Sequence, residues 1–254
     1  MKAHQKIIRE KKALEDTNDI FGNWWKDVDV DIKKAEIKEV KYSVANQIIE
    51  EYEWLKCMPA MVKHCYGIYF EGNCGGVVVY SDEYSENLGH WDKYDYTGKM
   101  ILLSRGACVH WSHKHSASKL ICQSIKMLPD KYKIVTATVD ELAGEIGTIY
   151  QACNFVYIGS MRENNPNVKN PKGSRFGVII KDKLYGSRAM RQKVGSQKKA
   201  DILKLFPDAK FVKQKAKARY FYFRGTKKEK RYYREQIEEF IKPYPKRNKI
   251  YKSN

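Results

Sequence analysis

The chain of 254 residues contains no run of the roughly 18 apolar residues that a bilayer-spanning helix needs, which excludes an integral membrane protein of the helical type. The stretch MKAHQKIIREKKALED carries charges throughout and has no apolar segment, so it does not read as a secretory signal, and the cytoplasm is the expected location. No C-x-x-C pair occurs. The six cysteines, at 57, 65, 74, 108, 122 and 153, are scattered in a spacing that fits neither a zinc site nor a dense disulfide framework. Reduced, mostly buried thiols are expected. An acidic surplus is also missing: the formal net charge is +18.

That charge is unevenly placed. Residues 161–254 hold 28 Lys and Arg against 8 Asp and Glu, whereas the first 160 residues hold 20 against 22. The basic excess therefore lies in the last third, interleaved with tyrosines, a pattern that points to a polyanionic partner, most simply nucleic acid. At 43% hydrophobic residues the chain buries a core, and its length suits one medium domain with appendages.

Periodicity and turn residues divide the chain. Residues 1–35 read as a charged helical arm, ended by FGNWW, whose aromatics should dock it onto apolar surface. KAEIKEV (34–40) alternates as a strand. Ser43 is a plausible cap for an amphipathic helix through VANQIIEEYEWL. YGIYFEGNCGGVVVYS (66–81) is a hairpin turning at Glu71–Asn73. MILLSRGACV (100–109) is a buried strand interrupted by Arg105, and HWSHKHSASKLICQSIKML (110–128) is a loop and then a helix. KIVTATVD (133–140) is a β-branched strand, GEIGTIYQACNFVYIGS is helix then strand, and FGVII (176–180) is one more strand. The domain of 36–180 is thus mixed α/β, in the order β-α-β-β-β-α-β-α-β. Residues 181–254 form a basic, Tyr-rich C-terminal region, with a strand at ARYFYFRG (218–225) and a helix at 227–241. One pair of that strand's aromatics is expected in the core, and the other is left to stack or pack.

The element order and the segment TVDELAGEIGTIYQACNFVYIG resemble the GNAT acyltransferase fold. The run D-x-x-x-G-x-x-G-T-I-Y-Q-A-x-N-F-x-Y-x-G is similar to the phage Mu Mom family, a divergent GNAT-like group, and the likeness extends over roughly residues 36–245. The resemblance implies an α/β fold with a GNAT-like mixed central sheet flanked by helices, in which a central strand splays from its neighbour and the acyl donor lies in the gap. It implies a transferase that converts adenine in double-stranded phage DNA to N6-carbamoylmethyladenine, protecting it from host restriction. The residues carried over are Arg105, Ser118, Asp140 and Tyr150, with Gly147, Gln151 and Asn154 in the same motif. Two departures stand out. The Gly-rich pyrophosphate loop of ordinary GNAT proteins, [RQ]-x-x-G-x-[GA], is replaced by HWSHKHSAS, which has no glycine. Glu145 also stands where closer relatives carry His.

Taken by themselves, these residues leave alternatives open. Asp140 ends a strand, where ligands bind in open α/β sheets. It is a base for the adenine amino group or a cap for the 144–153 helix. Tyr150 is a proton donor to a leaving group or a half-buried core residue, and it shares a helix face with Asn154 at i, i+4. Arg105 pairs with Asp140 or with an anion on donor or substrate. Ser116 and Ser118 open a helix and either bind a phosphate of the donor or simply cap it. His110, His113 and His115 form H-x-x-H-x-H, weak evidence for a metal, and none is assigned. Arg188, Arg191, Lys193, Lys198 and Lys199 are expected to contact the DNA backbone, and tyrosines of the 82–98 loop to stack on a flipped base. The donor is acetyl-coenzyme A or an aminoacyl donor such as glycyl-tRNA. Competing readings are an acyltransferase acting on tRNA, a protein amine or a small amine, and a non-catalytic nucleic-acid-binding protein on the same fold.

Overall fold

The computed structural model describes residues 4–17, 24–84, 91–140, 145–160, 175–181, 183–196, 198–214 and 217–246. The chain divides into two compact units, one made of residues 1–159 and 218–254, the other of 160–217.

The larger unit is a seven-stranded sheet covered on both faces. Its strands are β1 (Glu36–Glu39), β2 (Val62–Phe70), β3 (Asn73–Ser81), β4 (Met100–Cys108), β5 (Ile134–Val139), β6 (Val156–Ser160) and β10 (Ala218–Phe223). They lie in the order β1-β2-β3-β4-β5-β10-β6. The β2–β3 hairpin turns where expected: Glu71 and Gly72 both have positive φ, 46° and 82°. Two such residues between paired strand ends twist in the same sense as the strands they join. Helix α2 (Tyr42–Tyr52) buries Ala45, Ile48, Ile49 and Tyr52, one stripe at helical spacing, against Val77, Val79 and Ala107 on one sheet face. Helix α3 (Ser116–Met127) places Leu120, Ile121 and Ile125 on the other face, with Val78, Tyr80, Leu103, Val135 and Tyr220. The expected mixed central sheet flanked by helices is present.

Two features position the site. First, β4 and β5 are parallel but pair only from Met100–Ile134 to Leu103–Ala137, although β4 runs on to Cys108 and β5 to Val139. Beyond Leu103 the two strands part. A bulge at Ser104 begins the divergence: Val79 pairs with Arg105 but Tyr80 with Leu103, and the Ser104 hydroxyl donates to the Val79 carbonyl at 3.0 Å. A bulge bends its strand and increases local twist.

Second, β10 does not belong to a separate C-terminal region. It pairs antiparallel with β5 along its whole length, Ala218 opposite Val139 to Phe223 opposite Ile134. Tyr220 and Phe221 are both fully buried, and half-buried Tyr222 packs on Phe155, so both sets of its aromatics enter the core. A strand covered on both faces buries both sets.

The smaller unit is a three-stranded sheet, β8-β7-β9, made of β7 (Arg175–Ile180), β8 (Lys183–Tyr185) and β9 (Lys210–Gln214), with helices α5 (Ser187–Val194) and α6 (Lys199–Leu205). Its core is Val178, Met190 and Ile202, with Ile180, Tyr185, Val194, Phe206 and Phe211 packed around it. FGVII therefore sits in this second sheet rather than at the edge of the first. The unit is inserted in the chain between β6 and β10. It carries 16 Lys and Arg against 4 Asp and Glu, +12 of the total +18. No helix among the described residues is long and apolar enough to cross a membrane.

Candidate active site

The motif GEIGTIYQACNFVYIGS folds as a short helix, α4 (Thr148–Ala152), between two backbone devices. Gly147 caps its start in the left-handed region, at φ 72°. A Cβ there would lie 2.4 Å from the Tyr220 ring. The Tyr220 hydroxyl donates to the Ile146 carbonyl at 2.6 Å, and the Gln151 amide donates to Ile146 O and to the Tyr220 oxygen at 3.0 and 3.1 Å. At the other end Asn154 is left-handed, at φ 61°, while Phe155 N–H bonds Tyr150 O and Asn154 N–H bonds Gln151 O, a Schellman stop. Asn154 thus lies beyond the helix, its side chain exposed, and does not share a helical face with Tyr150. Gly147, Gln151 and Asn154 shape the segment that presents Tyr150. Gly147→Ala is expected to lower the melting temperature by more than Gly98→Ala. Both positions have φ near +75°, which alone costs about 1–2 kcal/mol for a non-glycine residue, but only Gly147 faces a ring. Thermal denaturation of the two variants checks this.

Tyr150 packs on Phe155 and Tyr220, ring centres 5.4 and 5.5 Å away. Burial, then the negative charges of Glu145 and Glu53, push its phenol well above the ordinary tyrosine range, and Arg105 pulls it back. Protonated at neutral pH, it can donate a proton and cannot serve as a base.

Arg105 makes no ion pair among the described residues, with Asp140 or otherwise. Its Nε donates to Cys57 O at 3.0 Å and its Nη1 to Ser104 O at 2.6 Å. Two carbonyls fix the guanidinium plane and leave Nη2 uncommitted, so the positive charge is available to a ligand. Asp140 continues the alternation of β5 onto the face that carries Thr136 and Arg105, and it is only 7% exposed. It is not the cap of α4, since Gly147 holds that position.

The same face holds residues that sequence reasoning did not single out. Glu53, 5% exposed, ends α2 and accepts a bond from Leu55 N–H at 2.6 Å. Glu83 is 2% exposed and accepts from Arg219 Nη1 at 2.7 Å and from the Thr136 hydroxyl. Arg219, 8% exposed, stands opposite Thr138 on β10. Four buried charged residues on one face of β4, β5 and β10, between α2 and the turn at 91–99, are costly unless paired or used. An arginine inside the alternating strand ARYFYF was the available signal.

The loop after β4 is built differently from a phosphate cradle of glycines. Ser118 Oγ donates to His115 O at 3.0 Å, a local bond within the first turn that leaves the helix without a side-chain cap. Ser116 is fully buried, and its hydroxyl has no hydrogen-bond partner among the described residues. The three histidines do not converge. His110 bonds the Tyr52 hydroxyl through Nδ1 at 3.0 Å and faces Asp16 through Nε2 at 3.1 Å, while His113 accepts from the His115 N–H. Among the described residues no three His, Cys, Asp or Glu side chains are grouped to hold a metal.

Of the tyrosines in the 82–98 loop, Tyr96 is buried among Trp91, Phe221 and Tyr233 and donates to Tyr233 O at 2.6 Å. It is therefore core, whereas Tyr84 is 62% exposed. Of the arm's aromatics, Trp25 meets His110 and Trp24 meets Trp111, both edge-on; Phe21 lies outside the described residues. In the basic unit Arg191, Lys193, Lys198 and Lys199 are exposed, and Lys193 lies 5.9 Å from the Tyr185 ring. The Arg188 side chain lies outside the described residues.

Residues 34–246 match the model of the Mom protein family. Among solved structures, the chain is similar to a GNAT family acetyltransferase from Elizabethkingia anophelis with acetyl-CoA bound, at 8% identity over 75% of this chain and 98% of that one, TM-score 0.39. It is also similar to spermidine N-acetyltransferase from Vibrio cholerae in complex with CoA and spermine, at 7% identity over 79% and 98%, TM-score 0.42. No curated protein matches the sequence.

Proposed function

From the premise that this chain belongs to the Mom protein family, as the match across residues 34–246 shows, we propose that it is a GNAT-like acyl-group transferase that substitutes N6 of adenine in double-stranded DNA. The product is of the N6-carbamoylmethyladenine type, and the modified phage DNA escapes host restriction. The observation that carries this reading is the parting of β4 and β5 beyond Leu103, with Arg105 held by two carbonyls at its mouth.

The chemistry follows from the groups around that gap. Adenine N6 is a weak nucleophile because its lone pair is delocalised into the ring. An activated carbonyl carbon must be held against it and made more electrophilic. Arg105 Nη2 supplies a fixed positive charge for the oxygen that gains charge in the transition state. Asp140 accepts the proton that N6 loses. Tyr150, kept protonated by burial and by Glu145 and Glu53, gives a proton to the leaving group. Ser116, whose buried hydroxyl has no partner among the described residues, and Ser118 at the start of α3 are the residues this reading assigns to a phosphate of the donor. This step forms an N6–acyl bond and releases the thiol or hydroxyl of the donor. An acetyl group lacks the nitrogen of a carbamoylmethyl group, whereas a glycyl group from an ester of tRNA carries all its atoms in the isomeric order. A carbamoylmethyl product therefore requires the glycyl amide to rearrange and put its methylene on N6. The adduct reports which atoms are transferred.

The 160–217 unit is the DNA-contacting part of this reading, through Arg188, Arg191, Lys193, Lys198 and Lys199, because it carries +12 in 58 residues. Lys193→Glu with Lys198→Glu and Lys199→Glu is expected to weaken duplex binding and to flatten its dependence on salt. The slope of log K against log salt falls by about 0.9 for each phosphate that is no longer neutralised, which fluorescence anisotropy across a salt series measures. The function itself is tested by expressing the chain in a bacterial host, digesting host DNA to nucleosides and weighing them. A new deoxyadenosine adduct that disappears in Asp140→Ala supports the proposal. Unmodified DNA beside abundant folded protein refutes it and directs the same assay to tRNA.

A further inference from the structure

Helix α1 (His4–Thr17) lies outside the residues that match the family and has no part in the chemistry above, yet it touches the opening between β4 and β5. Val109 N–H bonds Gly75 O, and the Ala107 carbonyl points toward Gly76 on β3. Along a strand, successive residues turn their N–H and C=O groups to opposite edges, so Gly106 and Cys108 direct theirs to the edge that β5 has left. A donor arm that lies extended in the gap would hydrogen-bond to this edge as a substitute strand. The Gly106 carbonyl is already taken: Gln5 Nε2 of α1 donates to it at 2.6 Å.

The rest of the attachment of α1 follows the same course. Arg9 Nη2 donates to His110 O and Ser112 O at 3.2 and 3.3 Å, on the loop that leads from β4 to α3. Asp16 faces His110. Ile8 packs against the α2 side of the core, but Ile7 and Leu14 remain 46% and 67% exposed. The helix is therefore held largely by individually weak polar bonds rather than by a buried apolar stripe, the attachment expected of an element that opens below the global unfolding free energy.

We infer that α1 gates the donor site: Gln5 holds the Gly106 carbonyl on the open edge of β4, so that the bound helix and an extended acyl donor exclude one another. This inference rests on the reading that the donor lies in the β4–β5 gap. Binding of the donor releases α1, and release of α1 favours the donor by the same factor.

The test uses the full chain and a Gln5→Ala, Arg9→Ala variant, neither residue belonging to the catalytic group. Hydrogen exchange is followed by mass spectrometry over residues 104–110 and over α1, and coenzyme A is titrated calorimetrically as the probe. The variant should exchange faster over 104–110 and bind coenzyme A more tightly by on the order of fivefold, the equivalent of one hydrogen bond. Saturating coenzyme A should speed exchange in α1 of the wild-type chain. Equal exchange over 104–110 in both proteins, or weaker coenzyme A binding by the variant, overturns the gate. If neither protein binds coenzyme A, that donor is wrong, and the exchange comparison alone decides whether α1 covers the edge.

Discussion

Asp140→Asn should lower the rate of adenine modification by at least about a hundredfold, the lower end of what a positioned acid or base contributes, while the melting temperature and duplex affinity stay near wild type. The exchange keeps the side chain's size and its capacity to accept a bond, and it removes the charge and the ability to take a proton. Asp140 is buried and does not cap α4, so its loss removes no helix end. Arg105→Ala should do comparable damage for a different reason: the guanidinium is tied to Cys57 O and Ser104 O, and in the proposed reaction its remaining donors serve the developing oxyanion. Arg105→Lys should not rescue, because the donors of an ammonium radiate from one nitrogen and cannot span both anchors and a ligand as the planar guanidinium does. Tyr150→Phe separates a proton donor from a packing residue, since the ring packing on Phe155 and Tyr220 survives the change. The upward shift of the Tyr150 phenol has a consequence for pH. The acid form persists through the range where an exposed tyrosine ionises, so its ionisation causes no alkaline loss of rate near pH 10. Single-turnover nucleoside analysis of the four variants measures the rates, beside thermal denaturation and duplex titration of Asp140→Asn. Full activity in Asp140→Asn and Arg105→Ala together would show that the site lies elsewhere.

The second large effect concerns stability. Glu83→Ala should destabilise the larger unit by about 3–5 kcal/mol, because it leaves Arg219 buried beside a vacated carboxylate position. Set against a total of roughly 5–15 kcal/mol for a domain, that is a large share of the stability. Arg219 Nη1 lies 2.7 Å from Glu83 Oε2, and the Thr136 hydroxyl shares that oxygen, so three elements, the 82–98 loop, β5 and β10, are tied at one point. The double variant Glu83→Met, Arg219→Met should be less damaged than Glu83→Ala, because apolar replacement of both partners removes the buried charge as well as the bond. Urea denaturation of Glu83→Ala checks the loss, and that of Glu83→Met, Arg219→Met and the double variant gives the coupling energy. A surface pair such as Arg231–Glu235, with both side chains more than half exposed, should show almost none.

What the sequence determined by itself is local. Alternation marked the strands, a helical stripe marked α2, and the paired residues Glu71 and Gly72 marked the hairpin turn, because each depends on neighbours within a few residues. The motif from Asp140 to Gly159 was enough to indicate the family. Its Gly147 and Asn154, however, turned out to be backbone stops at the two ends of a five-residue helix, a role that shows only in their φ angles. The tertiary structure alone decided the non-local matters. ARYFYF reads as a strand anywhere in the chain; that it lies between β5 and β6, after an inserted unit of 58 residues, follows from which sheet edge is left to pair. The basic excess reads as a C-terminal property, but the insertion confines +12 of it to one small unit. Glu53, Glu83 and Arg219 are ordinary charged residues in the sequence, and only folding puts them underneath covering elements, where a charge must be paired or put to use. The hold of Gln5 on Gly106 spans 101 residues, and no periodicity reports it, because a hydrogen bond depends on where two groups meet in space and not on how far apart they lie along the chain.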